Sequence, residues 1–310
     1  MNVIITGASG FIGRNLLQYI PKNWNVIAIF NKDKTFPDFV AKSHFYNIRI
    51  LKCDLKSDHE TSILQEKIRE KIDVGIYLAG NTDPSRSVID PAHDMLNNAY
   101  ALVNFLSKVK IYKFIFFSSG AVYNGLKGEV SPDINLNPTL PYAISKLASE
   151  QYIKFFHKRK KNIQEYIILR FFGAYGPFEP QRKIYTKLVK RFYFEKANEI
   201  TIRGDGRNLI DAMYVEDAIR GLIKIVESDE KNMVLDYCYG KPITIKDLVR
   251  KAAKIFGIED LKIYHEGETE EYNLFFASPA KMEQLFNIKP KIPLETGLFK
   301  LAKYLEGKDL

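Results

Sequence analysis

An α/β fold, built on a doubly wound parallel sheet with a smaller mixed α/β C-terminal domain, is the fold class that this sequence predicts. Short apolar segments alternate with longer helical ones through the first half of the chain, and several of the short segments are apolar on both faces. Strands of that kind suit a parallel sheet that helices cover on both sides. The pattern then turns irregular after Gly173–Pro177, which indicates a second domain.

The elements are predicted from hydrophobic periodicity and from the residues that end each helix. The first strand is expected at 3–6 and the first helix at 11–20, where Pro21 ends it. Further strands are expected at 26–30, 48–51, 74–78, 113–118 and 166–171. Helices are expected at 63–72, 95–109, 142–156, 184–194, 215–227 and 245–256. We therefore predict one domain at 1–172 and another at 173–310, with part of 205–240 returning to the first.

Composition narrows the class of protein. With 46% hydrophobic and 27% charged residues in 310, the chain is neither disordered nor collagen-like, and it has no apolar run for a membrane span or signal peptide. Cys53 and Cys238 form no disulfide scaffold or metal cluster, so we expect a reducing cytoplasm and no metal site. The net charge of +9 suits anionic ligands, but the basic run at 158–161 is predicted to be a solvated helix end and not a nucleic-acid site.

A glycine-rich turn joins the first strand to the first helix. The segment Thr6–Gly13 has the spacing G-x-x-G-x-x-G. Gly7 allows a tight turn, Gly10 lets a pyrophosphate approach the backbone amides, and Gly13 lets the helix pack close to the sheet. Phe11 and Ile12 lie between the last two glycines and open the helix. An ordinary strand–helix turn is the alternative, but the context predicts a Rossmann dinucleotide site.

The end of the second strand bears on the choice of dinucleotide. NAD-binding folds usually place a carboxylate there for the ribose hydroxyls, whereas this chain has Phe30-Asn31-Lys32 and an acid only at Asp33. Lys32 or Lys34 can instead meet a 2′-phosphate, so we expect NADP, with NAD as the alternative. After the third strand, Asp54 is placed to accept from the adenine amino group, with Leu55 beside it. Asp54 could also simply cap a turn.

A Tyr and a Lys one helical turn apart carry the second chemical signal. Tyr142 and Lys146 share a helix face, and Ser118 and Ser119 end the preceding strand at the carboxyl edge, where such sheets bind ligands. A phenol titrates near 10, too high for a base at neutral pH, but a neighbouring ammonium and a cationic nicotinamide favour the phenolate. Ser119 can hydrogen-bond the reacting hydroxyl or carbonyl.

Taken together, these motifs resemble the extended short-chain dehydrogenase/reductase superfamily, whose members include sugar-nucleotide epimerases, dehydratases and ketoreductases. The resemblance covers nearly the whole chain and also rests on 78–80, Asn98, 118–123, Arg170, 175–177, 204–206, 214–218, 242–248 and the tail around Ser278, Lys281 and Pro290. It implies that Ser119 polarises the substrate, that Tyr142 is the acid/base and that Lys146 supports Tyr142 and binds the ribose. The dinucleotide site it implies also includes Leu78, Ala79, Gly80, Asn98, Ser118 and Phe172. The substrate site it implies includes Ser119, Gly120, Gly173, Arg182 and Arg207.

Three departures from the family pattern refine the expected reaction. Gly120-Ala121 stands where dehydratases of the group carry an Asp-Glu pair, so elimination lacks its acid and base. Gly173 replaces an Asn that is frequent in nucleotide-sugar members. Ile210 replaces an Arg that grips the nucleotide diphosphate there, and an apolar side chain makes no bidentate phosphate contact. Arg203, Arg207 or Arg182 could substitute, although each could equally be surface charge.

The resulting prediction is an NAD(P)-dependent enzyme that acts on an activated, nucleotide-linked sugar as a C4 epimerase or a 4-ketoreductase. A reductase of a non-sugar carbonyl is a second hypothesis, and a dinucleotide-sensing module without turnover is a third. No nucleic-acid or membrane partner is expected. By the same resemblance, a homodimer is expected through helices at 94–109 and 142–156, with Ala101, Phe105, Tyr152 and Phe156 facing outward.

Overall fold

A seven-stranded parallel sheet forms the centre of the molecule. The computed structural model describes residues 1–43, 45, 47–268 and 273–307. The strands lie in the order β12-β7-β5-β4-β1-β2-β3, and every neighbouring pair is parallel. Their bounds are β1 Asn2–Thr6, β2 Asn25–Phe30, β3 Ile48–Lys52, β4 Ile72–Tyr77, β5 Ile111–Ser119, β7 Ile163–Phe171 and β12 Met233–Tyr237. The expected doubly wound α/β fold is confirmed.

Helices cover both faces of this sheet and continue into the C-terminal part. Their bounds are α1 Phe11–Tyr19, α2 Phe36–Lys42, α3 Asp58–Lys67, α4 Pro84–Ile89, α5 Pro91–Met95, α6 Ala101–Lys108, α7 Pro141–Lys158, α8 Ile184–Leu188, α9 Val215–Glu227, α10 Ile245–Ile255, α11 Ala280–Phe286 and α12 Leu294–Glu306. Two π-helical turns, Leu96–Tyr100 and Val189–Phe194, continue α5 and α8, and a 3₁₀ turn, Gly120–Tyr123, follows β5. No helix of the described residues is long and apolar enough to cross a bilayer.

The alternation of side chains along each strand separates two cores. Val3 and Ile5 of β1 pack into one core with α1 and α9, whereas Ile4 packs into the other with α6 and β5. Because successive residues of a strand point to opposite faces, a run such as Val3–Ile5 is fully buried only when both faces are covered. The continuous apolar runs in the sequence therefore reflect helices on both sides of the sheet.

The C-terminal part is assembled from short strand pairs and helices around a third core. The remaining strands are β6 Lys127–Val130, β8 Ala174–Tyr175, β9 Glu199–Arg203, β10 Leu209–Ile210, β11 Met213–Tyr214, β13 Ile243–Thr244, β14 Lys262–Glu266 and β15 Leu274–Ala277. They pair as β6–β15, β8–β11, β9–β14 and β10–β13. Strand β12, which lies between α9 and β13 in sequence, joins the central sheet beside β7. The division at residue 172 stays a prediction.

Two helices differ from their predicted bounds because of capping residues. The helix expected at 63–72 is α3, which starts early because Ser57 Oγ accepts a hydrogen bond from the Glu60 amide, and Ile72 opens β4 instead. The helix expected at 95–109 begins at Pro91, because Asp90 accepts from the His93 amide. It then passes through the π-helical turn before α6. Periodicity alone did not reveal these starts.

The residues expected on the outer face of the helix pair are mostly internal. Ala101, Phe105 and Phe156 are buried within the chain, so that part of the prediction was wrong, whereas Tyr152 is exposed. For Ala101 and Phe105 the cause is the π-helical turn before α6, which changes the register of that helix, so a period of 3.6 residues carried through it assigns faces incorrectly. The exposed apolar residues of this region are Val88, Ile89, Met95, Leu96, Tyr100, Ile144, Tyr152 and Phe155.

Candidate active site

The glycine turn after β1 forms a tight backbone cradle at the carboxyl edge of the sheet. Gly7 has φ +67°, and a Cβ there would lie 2.7 Å from the Ala79 amide nitrogen. A Cβ on Gly13 would lie 2.5 Å from the Ala8 carbonyl oxygen, so α1 meets the turn at a distance that only glycine permits. Gly10 is the N-cap of α1, and Phe11 and Ile12 start the first turn. These amides at a helix start can hold a pyrophosphate.

The end of β2 offers no carboxylate to the cradle. Phe30 is the last residue of the strand, and Asn31 and Lys32 follow it. Asp33 accepts a hydrogen bond from Arg14 Nη2 at 2.8 Å, and its Oδ1 accepts from Thr35. Although burial opposes the shift, the hydrogen bonds from Arg14 and Thr35 hold the pKa of Asp33 below its usual range. Asp33 is therefore engaged by the protein itself.

Two other predicted dinucleotide ligands meet at the neighbouring strand. Asp54 follows β3, where it accepts from Lys56 Nζ at 3.0 Å and from the Asn31 side chain. Leu55 is buried beside it. The structure thus brings Asn31 and Asp54 together just beyond the carboxyl ends of β2 and β3.

The segment after β4 lies against the glycine turn and against Asn98. The Ala79 amide donates to Thr6 Oγ1 at 3.3 Å, and a Cβ on Gly80 would lie 2.3 Å from Asn98 Oδ1. Asn98 is buried in the π-helical turn, and its Nδ2 donates to Asp94 Oδ1 at 2.9 Å. The predicted segment Leu78–Gly80 and Asn98 are therefore in contact.

Ser119, Tyr142 and Lys146 converge at the end of β5. Ser119 Oγ accepts from the Ala121 amide at 3.1 Å and is hydrogen-bonded to the Tyr142 hydroxyl. Lys146 Nζ donates to the Phe117 carbonyl oxygen at 3.0 Å and lies 5.9 Å from the centroid of the Tyr142 ring. The structure thus brings together the three residues that the sequence singled out.

Ser119, Tyr142 and Lys146 form the trio of the candidate active site, and burial shifts the pKa values of Tyr142 and Lys146 in opposite directions. Burial, opposed by the hydrogen bond to Ser119, raises the pKa of Tyr142 to about 12. Burial also lowers the pKa of Lys146 to about 8, although nearby carboxylates oppose that shift. Tyr142 is therefore a neutral phenol at neutral pH and needs additional positive charge, such as that of an oxidised nicotinamide, to act as a base.

Ser118 belongs to a buried network behind this site. Its hydroxyl donates to Glu150 Oε1 at 2.6 Å, and Glu150 Oε2 accepts from Arg170 Nη2 at 2.9 Å. Arg170 Nη1 donates in turn to the Tyr123 hydroxyl, which donates to Asp236 Oδ1. The Ser118 side chain is thus committed to fixing α7 on the sheet, and any contact with a dinucleotide falls to its backbone.

The predicted substrate residues fall into two groups. Gly120 lies against the Phe172 ring, where a Cβ would be 3.2 Å away, and a Cβ on Gly173 would lie 3.4 Å from the Ala212 Cβ. These three positions are next to Ser119 in the fold. Arg182 Nε instead pairs with Asp83 Oδ2 at 3.1 Å, which links the segment after β8 to the start of α4. Arg207 pairs with Asp205 on an exposed turn.

Three residues at the site were missed in the sequence. Asp94, Asn81 and Ser87 are brought to the trio by α4, α5 and the loop before them. The Ser87 hydroxyl oxygen accepts from the Tyr142 amide at 3.1 Å, which fixes the first turn of α7. Pro84 and Pro91, each after an Asp, are helix-start signals that could have located α4 and α5.

A Rossmann sheet with this Ser, Tyr and Lys arrangement defines the extended short-chain dehydrogenase/reductase class. The model of the NAD dependent epimerase/dehydratase family matches residues 3–236, and the chain belongs to this family. It is therefore an enzyme that depends on a nicotinamide dinucleotide.

Named relatives match over almost their whole length. A putative UDP-glucose 4-epimerase of Methanocaldococcus jannaschii is 28% identical, covering 99% of both chains. An uncharacterized UDP-glucose epimerase of Bacillus subtilis is 27% identical, covering 99% of this chain and 98% of the relative. The crystal structure of UDP-glucuronic acid 4-epimerase from Bacillus cereus, in complex with UDP-glucuronic acid and NAD, is similar with a TM-score of 0.85 at 26% identity, covering 99% of both chains.

Proposed function

We propose that this enzyme is a nucleotide-sugar C4 epimerase. The observation that carries the proposal is the assembly of Ser119, Tyr142 and Lys146 beside the glycine cradle, with Gly120 and Ala121 where an eliminating enzyme needs an acid and a base. The site therefore has the residues needed to oxidise and reduce a carbinol carbon, and it lacks the acid and base needed for elimination. Two similar proteins, the putative UDP-glucose 4-epimerase and the UDP-glucuronic acid 4-epimerase, support the same substrate class.

The residues of the chain divide the work of the reaction. The glycine cradle and the contact of Asn98 with Gly80 suit a bound dinucleotide. Glycines have no side chain, so a ligand can approach their backbone amides directly. When bound, the dinucleotide supplies a hydride acceptor and donor for C4 of the sugar. Tyr142 takes the C4 hydroxyl proton and returns it, Ser119 hydrogen-bonds the C4 oxygen, and Lys146 favours the phenolate and donates to the ribose. Proton and hydride both return, so no net oxidation occurs.

Product analysis tests the reaction. The purified enzyme is incubated separately with UDP-glucose, UDP-glucuronic acid, UDP-N-acetylglucosamine and dTDP-glucose, and the configuration at C4 is read by NMR. An epimerase gives the C4 epimer with no net change in added NAD(P)⁺, whereas a 4-ketoreductase, which can act on these C4 alcohols only in reverse, reduces one NAD(P)⁺ per sugar oxidised to the 4-keto form. Reduction of NAD(P)⁺ without an epimer would contradict the proposal.

A reductase of a non-sugar carbonyl is the second candidate function. Ile210, half-buried in β10, favours it, because the residue cannot grip a diphosphate. A reductase of this kind turns over ketones that carry no nucleotide. If such ketones are reduced while every nucleotide sugar is left unchanged, this candidate replaces the epimerase.

We further propose that NADP is bound at least as tightly as NAD. The absence of a carboxylate at Phe30 and Asn31, together with the engagement of Asp33 by Arg14, supports this choice. Lys32 and Lys34, which follow the strand, carry the positive charge that a 2′-phosphate requires. Fluorescence titration of NADPH and NADH tests it, with the double variant Lys32→Ala/Lys34→Ala weakening NADPH alone. A clear preference of the wild type for NADH would reject the proposal.

Homodimerisation and a cytoplasmic location complete the proposal. The exposed apolar residues of the first π-helical turn and of α7, among them Leu96, Tyr100, Ile144 and Phe155, support a dimer through α7 and its neighbours. Buried free thiols at Cys53 and Cys238 suit a reducing compartment. Cell fractionation with an antibody tests the location.

A further inference from the structure

A buried carboxylate lies next to the trio and takes no part in the reaction described above. Asp94 on α5 is completely buried. Its Oδ1 accepts from Asn81 Nδ2 at 2.7 Å and from Asn98 Nδ2 at 2.9 Å, while its Oδ2 has no hydrogen-bond partner among the described residues. A buried carboxylate held only by neutral amides is costly, and its charge acts over a longer range than it would in water.

Asp94 acts electrostatically on Lys146, which lies on the neighbouring helix. Helix α5 packs against α7, and the charge of Asp94 acts on both Lys146 and Tyr142. The ammonium of Lys146 donates to one carbonyl, that of Phe117. It is otherwise surrounded by the rings of Phe116 and Tyr142, which leaves it poorly solvated.

The other charges around Lys146 are already paired. The carboxylates that act on Lys146 are Asp94 and Glu150, and Glu150 is bound by Arg170 and Ser118. The carboxylates that act on Lys146 are thus Asp94 on α5 and Glu150 on α7. The Tyr142 ring also faces its ammonium, and Arg170 on β7 binds Glu150. Among them Asp94 is the anion that forms no ion pair within the described ranges.

We propose that Asp94 is a positioning residue, whose buried carboxylate keeps Lys146 charged where the dinucleotide binds. The inference rests on the proposed function, because it takes Lys146 to be a ligand of the dinucleotide ribose. Asn81 and Asn98 hold the carboxylate in place, so the charge is fixed before any ligand arrives. The same charge disfavours the phenolate of Tyr142, so Asp94 raises the pKa of both Lys146 and Tyr142.

The sign of the effect defines the experiment. Asp94→Asn keeps the shape and an acceptor for the two amides but removes the charge. Without it the pKa of Lys146 falls further below its present value of about 8, and the pKa of Tyr142 falls as well. The ammonium is then lost at a lower pH than in the wild type.

Dinucleotide affinity across pH gives a readout that needs no sugar substrate. NADPH and NADH are titrated by fluorescence from about pH 6.5 to about pH 9.5, a range that brackets the pKa of Lys146. We expect equal affinity of wild type and Asp94→Asn at the lowest pH, and a loss of at least about threefold near pH 8. Asp90→Asn removes a charge from the exposed cap of the same helix and should change nothing.

Lys146→Arg separates an electrostatic role from a structural one. A guanidinium stays charged throughout this pH range, so adding Asp94→Asn to Lys146→Arg should no longer give a pH-dependent loss. The inference is overturned if Asp94→Asn weakens binding equally at every pH, if it has no effect at any pH, or if the pH-dependent loss persists with arginine. Failure of the wild type to bind any dinucleotide would overturn this inference and the proposed function together. Normal dinucleotide binding without sugar turnover would count against the proposed function alone.

Discussion

Removing the Tyr142 hydroxyl tests its role in catalysis without disturbing how the side chain packs. Tyr142→Phe removes it and leaves the buried ring in place, so the fold and the dinucleotide site stay intact. Because a positioned proton donor or acceptor contributes about 10²–10⁴-fold, we expect kcat to fall by at least that order while dinucleotide affinity is retained. Steady-state kinetics and fluorescence titration measure the two quantities.

A matched control for this variant is Tyr112→Phe. Tyr112 is an exposed phenol on β5 whose hydroxyl meets Glu165, near the end of the strand opposite to Ser119. Its loss should leave kcat within about twofold of the wild type, since surface substitutions are usually almost neutral. Near-normal turnover in Tyr142→Phe would remove the acid/base assignment.

Sequence reasoning did not find the residues that contact a predicted motif only after the chain has folded. Ser119, Tyr142 and Lys146 stand out because one helical turn and one strand end fix their relation. Asp94 meets Asn81 across a gap of 13 residues, and no periodicity relates them. Its approach depends on how α5 is placed against α7, which is decided by tertiary packing.

The junction of α1 with the glycine turn is the element whose geometry is most restrictive. In Gly13→Ala the new Cβ meets the backbone of Ala8 at 2.5 Å, and backbone cannot rotate away as a side chain can. We expect a loss of about 1–3 kcal/mol in the free energy of unfolding and at least a tenfold weaker dinucleotide complex. Urea denaturation and fluorescence titration measure these changes.

Gly307→Ala is the control for the glycine variant. Gly307 ends α12 with an ordinary negative φ, and the nearest atom to a Cβ there, among the described residues beyond its chain neighbours, is the Tyr304 carbonyl oxygen at 3.9 Å. Stability and dinucleotide affinity should both stay unchanged. If Gly13→Ala behaved in the same way, the close approach of helix and turn would not be needed for binding.

The ion pair between α7 and β7 fixes the helix that carries Tyr142 and Lys146. Glu150 is fully buried against Arg170, so Glu150→Gln leaves a guanidinium without its counter-charge. We expect a loss of about 3–5 kcal/mol in the free energy of unfolding. Glu165→Gln, which breaks the pair with exposed Lys231, should cost no more than about 1 kcal/mol. Equal losses in urea denaturation would contradict this difference.

The strands of the central sheet in the first half of the chain were predictable because their signals are local. Buried strands such as β1 and β5 show as apolar runs, and the glycine turn lies between a strand and a helix. The pair β6–β15 is different, because Lys127–Val130 and Leu274–Ala277 are far apart in sequence and each is short. Such strands form only when the partner is present, so their own residues carry little signal.

At the scale of the whole molecule, the exposed apolar residues predict that two copies of the chain form a dimer. Wild-type protein should scatter light as a dimer at micromolar concentration, because large apolar residues of α4, α5, the first π-helical turn and α7 are exposed on the single chain. The double variant Ile144→Asp/Phe155→Asp should be monomeric, since two buried charges per subunit would oppose association. Tyr264→Asp, an exposed aromatic on β14, is the control and should leave the dimer intact. A monomeric wild type would reject the prediction.

The position of β12 at the edge of the central sheet has a consequence for folding during synthesis. When a growing chain has left the ribosome only as far as β7, that strand has an unpaired edge, because its outer neighbour is Met233–Tyr237. An open strand edge can pair with another chain and start aggregation. The sheet is completed only after more than 60 further residues have emerged, so we expect the edge of β7 to stay open to such pairing during that interval.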